Sequence, residues 1–248
     1  MGKKINKKLF HICMIIVVIT AILFGIGILI LRYQVEGETN LPFEITKISI
    51  ISSADGKDNK DDANKWNITV NQNNDIYFYI DKNNNYEKTE IIDSIIINNI
   101  TIHKNSEKGE IHIYKPTEKG TNIFENTEEN LTEQIIYEGD MESNIKKLKI
   151  SNQGGLAVLR IANDNIATYK SNDVEQVDYS KLLQETKTTY EDLKATASID
   201  LTIKLKAGKS FKSTILLDIP VEDIVEKGTA NKEITDTKNI VFKRIENN

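Results

Sequence analysis

The sequence predicts a mainly β protein, in which a single N-terminal transmembrane helix precedes an antiparallel β-sandwich-like ectodomain with one or two short helices. Two observations carry this. Ile12 to Leu31 is a run of twenty residues without a charge. Past Tyr33, short segments alternate apolar and polar residues and are separated by Asn-, Asp- and Gly-containing links, the pattern of half-buried strands joined by turns.

Fourteen residues of the apolar run are Ile, Leu, Val or Phe. At roughly 0.3 to 0.6 kcal/mol each they favour insertion by about 4 to 8 kcal/mol. Twenty residues at about 1.5 Å rise span roughly 30 Å, the thickness of a bilayer core. Lys3, Lys4, Lys7 and Lys8 precede the run, and Arg32 is the only cation between it and Lys47. The positive-inside bias therefore predicts residues 1–11 in the cytoplasm, a helix over 12–31, a stalk over 32–42 and a β-rich extracytoplasmic domain over 43–248. A cleavable signal peptide is the competing reading, but its apolar region is shorter and ends at a small-x-small site, which only Gly25-Ile26-Gly27 resembles.

The 215 residues after Tyr33 (248 − 33) suffice for one large or two small cores. Beyond the first ten residues, 28 Lys and Arg face 37 Asp and Glu, a net charge near −9, which argues against nucleic acid as a partner. The only cysteine, Cys13, lies in the apolar run, so no disulfide framework or thiolate metal site is expected outside it. Asn67, Asn99 and Asn130 each begin an Asn-x-Thr acceptor pattern, which an Asn- and Thr-rich chain produces by chance.

Phe43 to Ser52 reads as the first strand, followed by a loop from Ser53 to Asn64 holding Asp55, Asp58, Asp61 and Asp62. Such oxygens suit Ca²⁺, but the spacing is not that of an EF-hand and a solvated loop is the simpler reading. Trp66, Ile68 and Val70, then Ile76, Phe78 and Ile80, alternate with polar residues and predict a hairpin whose loop is Asn71 to Asp75. Tyr77 and Tyr79 fall on its opposite face, as a binding stripe or a second covered face. Ile91 to His103 and Glu110 to Tyr114 form the next two strands, with His103 placed across from His112. Two imidazoles without a third ligand predict surface histidines, not a metal site.

Pro116 to Leu131 is polar and marks a long loop or a subdivision of the domain. Strands follow at Glu133 to Tyr137, Lys146 to Ser151, Gly155 to Ala162 and Ile166 to Tyr169, with Asn163-Asp164-Asn165 as a turn. Short helices are expected at Ser180 to Glu185 and after Thr189. Ile199 to Leu205 and Phe211 to Ile219 alternate cleanly. A three-residue loop, Ala207-Gly208-Lys209, pairs Leu205 with Phe211 and Leu201 with Ile215. Pro220 suits the start of a short helix and Gly228 its stop. Val241 to Ile245 forms the last strand.

No residue is assigned a catalytic, cofactor-binding or metal-binding role. Gly208-Lys209-Ser210 resembles the tail of a phosphate loop, but Ile203 stands where its first glycine belongs. Ser210 fails the nucleophile-elbow pattern because Lys212 replaces the last glycine. The expected function is a membrane-anchored extracytoplasmic binding or structural module of a bacterial cell envelope. Its expected partners are the lipid bilayer, through the N-terminal helix, and an envelope protein or wall polymer. The alternatives are an envelope hydrolase, which a cluster of buried carboxylates in a cleft would favour, and a subunit of an envelope assembly or secretion complex, for which Ala21 and Gly25 offer a small-residue packing face.

Overall fold

A computed structural model describes residues 7–36, 40–59, 65–124, 128–171 and 176–245. Helix α1 (Lys7–Glu36) contains the apolar run, and its segment His11–Ile30, with mean hydropathy 3.1, is long and apolar enough to cross a membrane. The helix continues past Leu31 into the expected stalk, where nothing between Arg32 and Glu36 breaks it.

The strands are β1 (Phe43–Asp58), β2 (Trp66–Lys82), β3 (Ile92–Lys104), β4 (Glu110–Tyr114), β5 (Ile135–Asp140), β6 (Lys149–Ser151), β7 (Gly154–Ser171), β8 (Ala195–Leu205), β9 (Ser210–Asp218), β10 (Thr229–Ile234) and β11 (Lys243–Ile245). Single-turn helices α2 (Leu182–Glu185), α3 (Tyr190–Leu193) and α4 (Ile224–Lys227) fall between β7 and β10. Five strands, in the order β10-β1-β2-β7-β4, form an antiparallel sheet; six, in the order β11-β9-β8-β3-β5-β6, form the other, with β5 and β6 parallel. Strands before and after the polar stretch 116–131 pair in both sheets, β4 with β7 and β3 with β5 and β8.

The core is what alternation dictates. Ile48, Ile50, Ile76, Phe78, Ile80, Leu159 and Ile161 from one sheet meet Ile95, Ile97, Ile199, Leu201, Ile203 and Ile215 from the other. In β3 the sequence shows apolar residues on both parities because two irregularities shift the register, between Ile92 and Ser94 and between Asn98 and Thr101. They let Ile92, Ile95, Ile97, Ile100 and Ile102 all reach the core.

Two expected turns are strand interior instead. Asn71 to Asp75 is no hairpin loop: β2 runs unbroken through it, paired to β1 and β7 on either side. At about 3.3 Å per residue, β2 extends for roughly 55 Å. Asn163-Asp164-Asn165 is a bulge within β7, where Asn165 takes φ +58° and Asn71 Oδ1 accepts its N–H at 2.8 Å. Beyond the bulge, β1, β2 and β7 outrun the main core, and Ile68, Val70 and Ile166 are covered by Leu182, Leu183, Leu193 and Ile224. A buried polar layer includes Ser52, Gln72 and Asn74, whose side chains bond one another.

The β8–β9 hairpin has the expected inward set but another register: Ile203 lies opposite Phe211 and Ile199 opposite Ile215. The loop is Lys206-Ala207-Gly208, closed by Leu205 and Lys209. Gly208, at φ +83°, occupies the last loop position, where a three-residue hairpin turns left-handed, and this fixes the register. The later helix starts after Asp223 and not at Pro220, while Gly228 stops it at φ +73°.

Thr189 precedes α3 as expected and forms a capping box with Asp192. Both its N–H and its hydroxyl donate to Asp192 Oδ2 at 2.9 Å, and Lys108 Nζ and Ser106 Oγ reach the same carboxylate at 2.8 and 3.2 Å. The Lys108 ammonium, followed by the hydrogen bonds from Thr189 and Ser106, holds the Asp192 carboxyl well below the usual carboxylate range against the opposing effect of burial. A depressed carboxyl stabilises the fold above its unfolded value near 3.9, and the gain is lost as pH falls through the folded value. Asp192→Asn is therefore expected to cost about 1 to 2 kcal/mol at pH 7. The gap in urea unfolding between variant and parent should begin to narrow below about pH 4 and close only as pH falls through the folded value; a gap independent of pH would contradict this account.

Candidate functional site

The outer face of the five-stranded sheet carries an open groove of about 1030 Å³. Its floor follows from the continuity of β2. Even-numbered residues from Ile68 to Ile80 point inward, so Thr69, Asn71, Asn73, Asp75 and Tyr77 line the opposite face. β1 adds Ser53, Asp55 and Lys57; β4 adds His112 and Tyr114; β7 adds Arg160 and Asp164. The polar stretch after β4 runs along one side, where Ile123 and Phe124 pack on Tyr77, Tyr114, Val158 and Ala162.

The floor is a set of interlocked polar pairs. Arg160 Nε and Nη2 donate to Asp75 Oδ1 and Oδ2 at 2.6 and 2.9 Å, and the guanidinium lies 4.6 Å from the centre of the Phe124 ring. His112 Nδ1 and Tyr114 Oη meet Asp164 Oδ2 at 2.9 and 3.1 Å. A carboxylate only accepts, so Nδ1 carries the hydrogen. Asn73 Nδ2 donates to Asp55 Oδ2 at 2.9 Å, and the Gly56 N–H donates to Oδ1 at 2.8 Å. Burial, then the Asp164 charge and hydrogen bond, push the Tyr114 phenol up to about 12. Burial and the Asp75 charge also raise Tyr77.

Asn73 is 3% exposed, and its Oδ1 has no hydrogen-bond partner among the described residues. Buried amide oxygens are nearly always satisfied; this acceptor shares its lack of a donor with Asn98 Oδ1 and Ser213 Oγ elsewhere in the fold, but of the three it is the one on the groove floor.

The structure redistributes the residues singled out in the sequence. Asp55 and Asp58 lie in β1, not in a loop, while Asp61 and Asp62 lie outside the described residues. Among the described residues no three His, Cys, Asp or Glu side chains converge as a metal site would require. His103 and His112 do not face each other: β3 and β4 belong to different sheets, His103 lying opposite Thr196 and His112 opposite Ala162. Tyr77 lines the groove, whereas Tyr79 lies under Lys47 Nζ at 4.3 Å. Asn71, Asn73, Asp75 and Asp164 went unrecognised because two polar runs read as turns, and Arg160, inside an expected strand, because its partner Asp75 fell in one of those runs. The signal was present in the apolar residues at even positions, whose parity is the same before and after Asn71 to Asp75.

The cleft does gather three carboxylates, the feature that would favour a hydrolase. Glycoside hydrolysis requires one carboxyl group to give up a proton and a second to act as nucleophile or base. Here Asp75 is clasped by Arg160, Asp164 by His112 and Tyr114, and Asp55 by Asn73 and a backbone N–H. Each of the three carboxylates is thus held by its own donors. The chain matches no family model, no curated protein and no solved structure, so the groove has to be understood from its own geometry.

Proposed function

We propose that this protein is a single-pass, membrane-anchored binding module of a bacterial cell envelope. Its short N-terminus is cytoplasmic and its β domain is extracytoplasmic, holding an envelope component in the groove of the five-stranded sheet. The groove is the observation that carries the reading. A sheet face of no further use would be solvated by mobile Lys, Glu and Thr side chains. This one instead orders Asp75, Arg160, Asp164 and His112 in mutual hydrogen bonds beneath a packed connection. Pre-ordered side chains lose little entropy on binding. The lysines before the apolar helix support the orientation.

A photo-crosslinking amino acid placed at Asn122, exposed on the groove rim, tests this in intact cells of the native host; the same probe at Leu216, 79% exposed on the other sheet, is the control. Adducts from position 122 and none from 216 are expected, together with removal of the β domain by protease added outside. Equal labelling at both positions, no labelling, or full protease protection would overturn the proposal.

A further inference from the structure

We infer that the groove takes a neutral oligosaccharide chain, an inference that rests on the reading of the groove as a ligand site. A sugar hydroxyl both donates and accepts, so its binding surface must offer both roles side by side. The floor does this repeatedly. Arg160 uses two of its five N–H donors on Asp75, and the carboxylates of Asp55, Asp75 and Asp164 retain lone pairs beyond the bonds they accept. Asn73 adds the independent sign. Its Oδ1 is an acceptor without a donor, and since the floor closes it off from water, a donor reaches it only as the side chains beside Asp55 give way to a bound ligand. A ligand hydroxyl fits that requirement.

Charge narrows the choice. Asp55, Asp75 and Asp164 against Lys57 and Arg160 give a formal charge of 2 − 3 = −1, so the groove favours neither a polyanion nor a polycation. A peptide adding as a strand would need β4, the sheet edge beside the groove, whose outer side already bonds residues 130–132. Tyr77, half-buried beside the floor, adds aromatic surface for the C–H face of a sugar ring. The volume, about 1030 Å³, lies at the upper end of the roughly 300 to 1000 Å³ of small-molecule pockets, and the groove is open. It suits several linked rings better than one.

The test is calorimetry of the full chain in lipid nanodiscs with cellohexaose and the hexamer of N-acetylglucosamine, with polyglycerol phosphate as the anionic comparison. Saturable binding of a neutral hexamer is expected, weakened by about tenfold or more in Asn73→Leu and in Asp55→Ala. Asn122→Trp, which obstructs the groove from its exposed rim and leaves the floor intact, should weaken it too and covers the event that a floor variant fails to fold. Absence of binding to either hexamer at millimolar concentration, or binding indifferent to Asn122→Trp, overturns the inference. If polyglycerol phosphate alone binds and Asn122→Trp abolishes it, the saccharide class is wrong and the groove reading survives. If the position-122 crosslinks are also missing, both fall.

Discussion

Arg160→Met is expected to lower the unfolding free energy by about 2 to 4 kcal/mol. The guanidinium and the Asp75 carboxylate are only 14% and 17% exposed, and their two hydrogen bonds form a charge-assisted pair that joins β2 to β7 across the groove floor. Methionine preserves much of the packing against Phe124 but strands the carboxylate among Tyr77, Phe124 and the sheet, where a lone charge is poorly hydrated. The cost should therefore arise from the abandoned partner and not from the lost bond. Asp75→Leu in the same chain should recover most of the loss, since replacing both members of a buried pair by apolar residues is often close to neutral. Urea unfolding of the parent, the two single variants and the double variant closes the cycle. A double variant no more stable than Arg160→Met would show that the packing on Phe124, and not the charge, was at stake. The double variant should also bind nothing in the groove while remaining folded, which separates the stability of the floor from its use.

How far the sequence discloses this molecule depends on how strictly each strand must obey period two. In β8 both parities are pure, Ile199, Leu201, Ile203 and Leu205 against Asp200, Thr202 and Lys204, and the inward set is read without ambiguity. Its register with β9 required knowing where Gly208 sits in the turn, a backbone property that alternation does not encode. β3 hid its face because its two irregularities each reverse the parity. β10 escaped notice because an edge strand buries little: in Thr229–Ile234 only Ala230 is fully covered. The groove was concealed for a related reason. Asn and Asp in a run signal a turn when nothing else bonds them, yet here Asn71, Asn73, Asn74 and Asp75 find partners in Asn165, Asp55, Ser52 and Arg160, residues that only the tertiary fold brings near. The residues that misled the reading of secondary structure are those that make the site.

The second large effect is expected at Tyr137. It belongs to β5 of the six-stranded sheet and is wholly buried, but its hydroxyl serves the other sheet, donating to the Val158 carbonyl at 2.9 Å and accepting the Val158 N–H at 3.1 Å. The arrangement follows from strand lengths. β4 pairs with β7 only from Arg160 to Asp164, so at Val158 the backbone groups on that side of β7 have no strand to bond. One phenol stands in for the missing neighbour. Tyr137→Phe keeps the ring and leaves a buried N–H and a buried C=O unsatisfied, at about 1 to 3 kcal/mol for each such group. A loss of about 2 to 4 kcal/mol in urea unfolding is expected, more than a single hydrogen bond would explain. The pH dependence carries an independent signature. Burial raises the Tyr137 phenol far above its ordinary value, against a smaller opposing effect of the bond to Val158. The folded state thus holds a proton that the unfolded chain releases near pH 10, so the stabilisation is complete below that value and declines as pH rises between the unfolded and folded values. Tyr114, pushed up to about 12, acts in the same direction. The parent protein should lose stability progressively above about pH 10, and Tyr137→Phe should do so with a shallower slope. An identical alkaline slope in the variant, or a loss at pH 7 below about 1 kcal/mol, would mean that water or a shifted β5 already satisfies Val158 and that the phenol is not what closes the gap between the sheets.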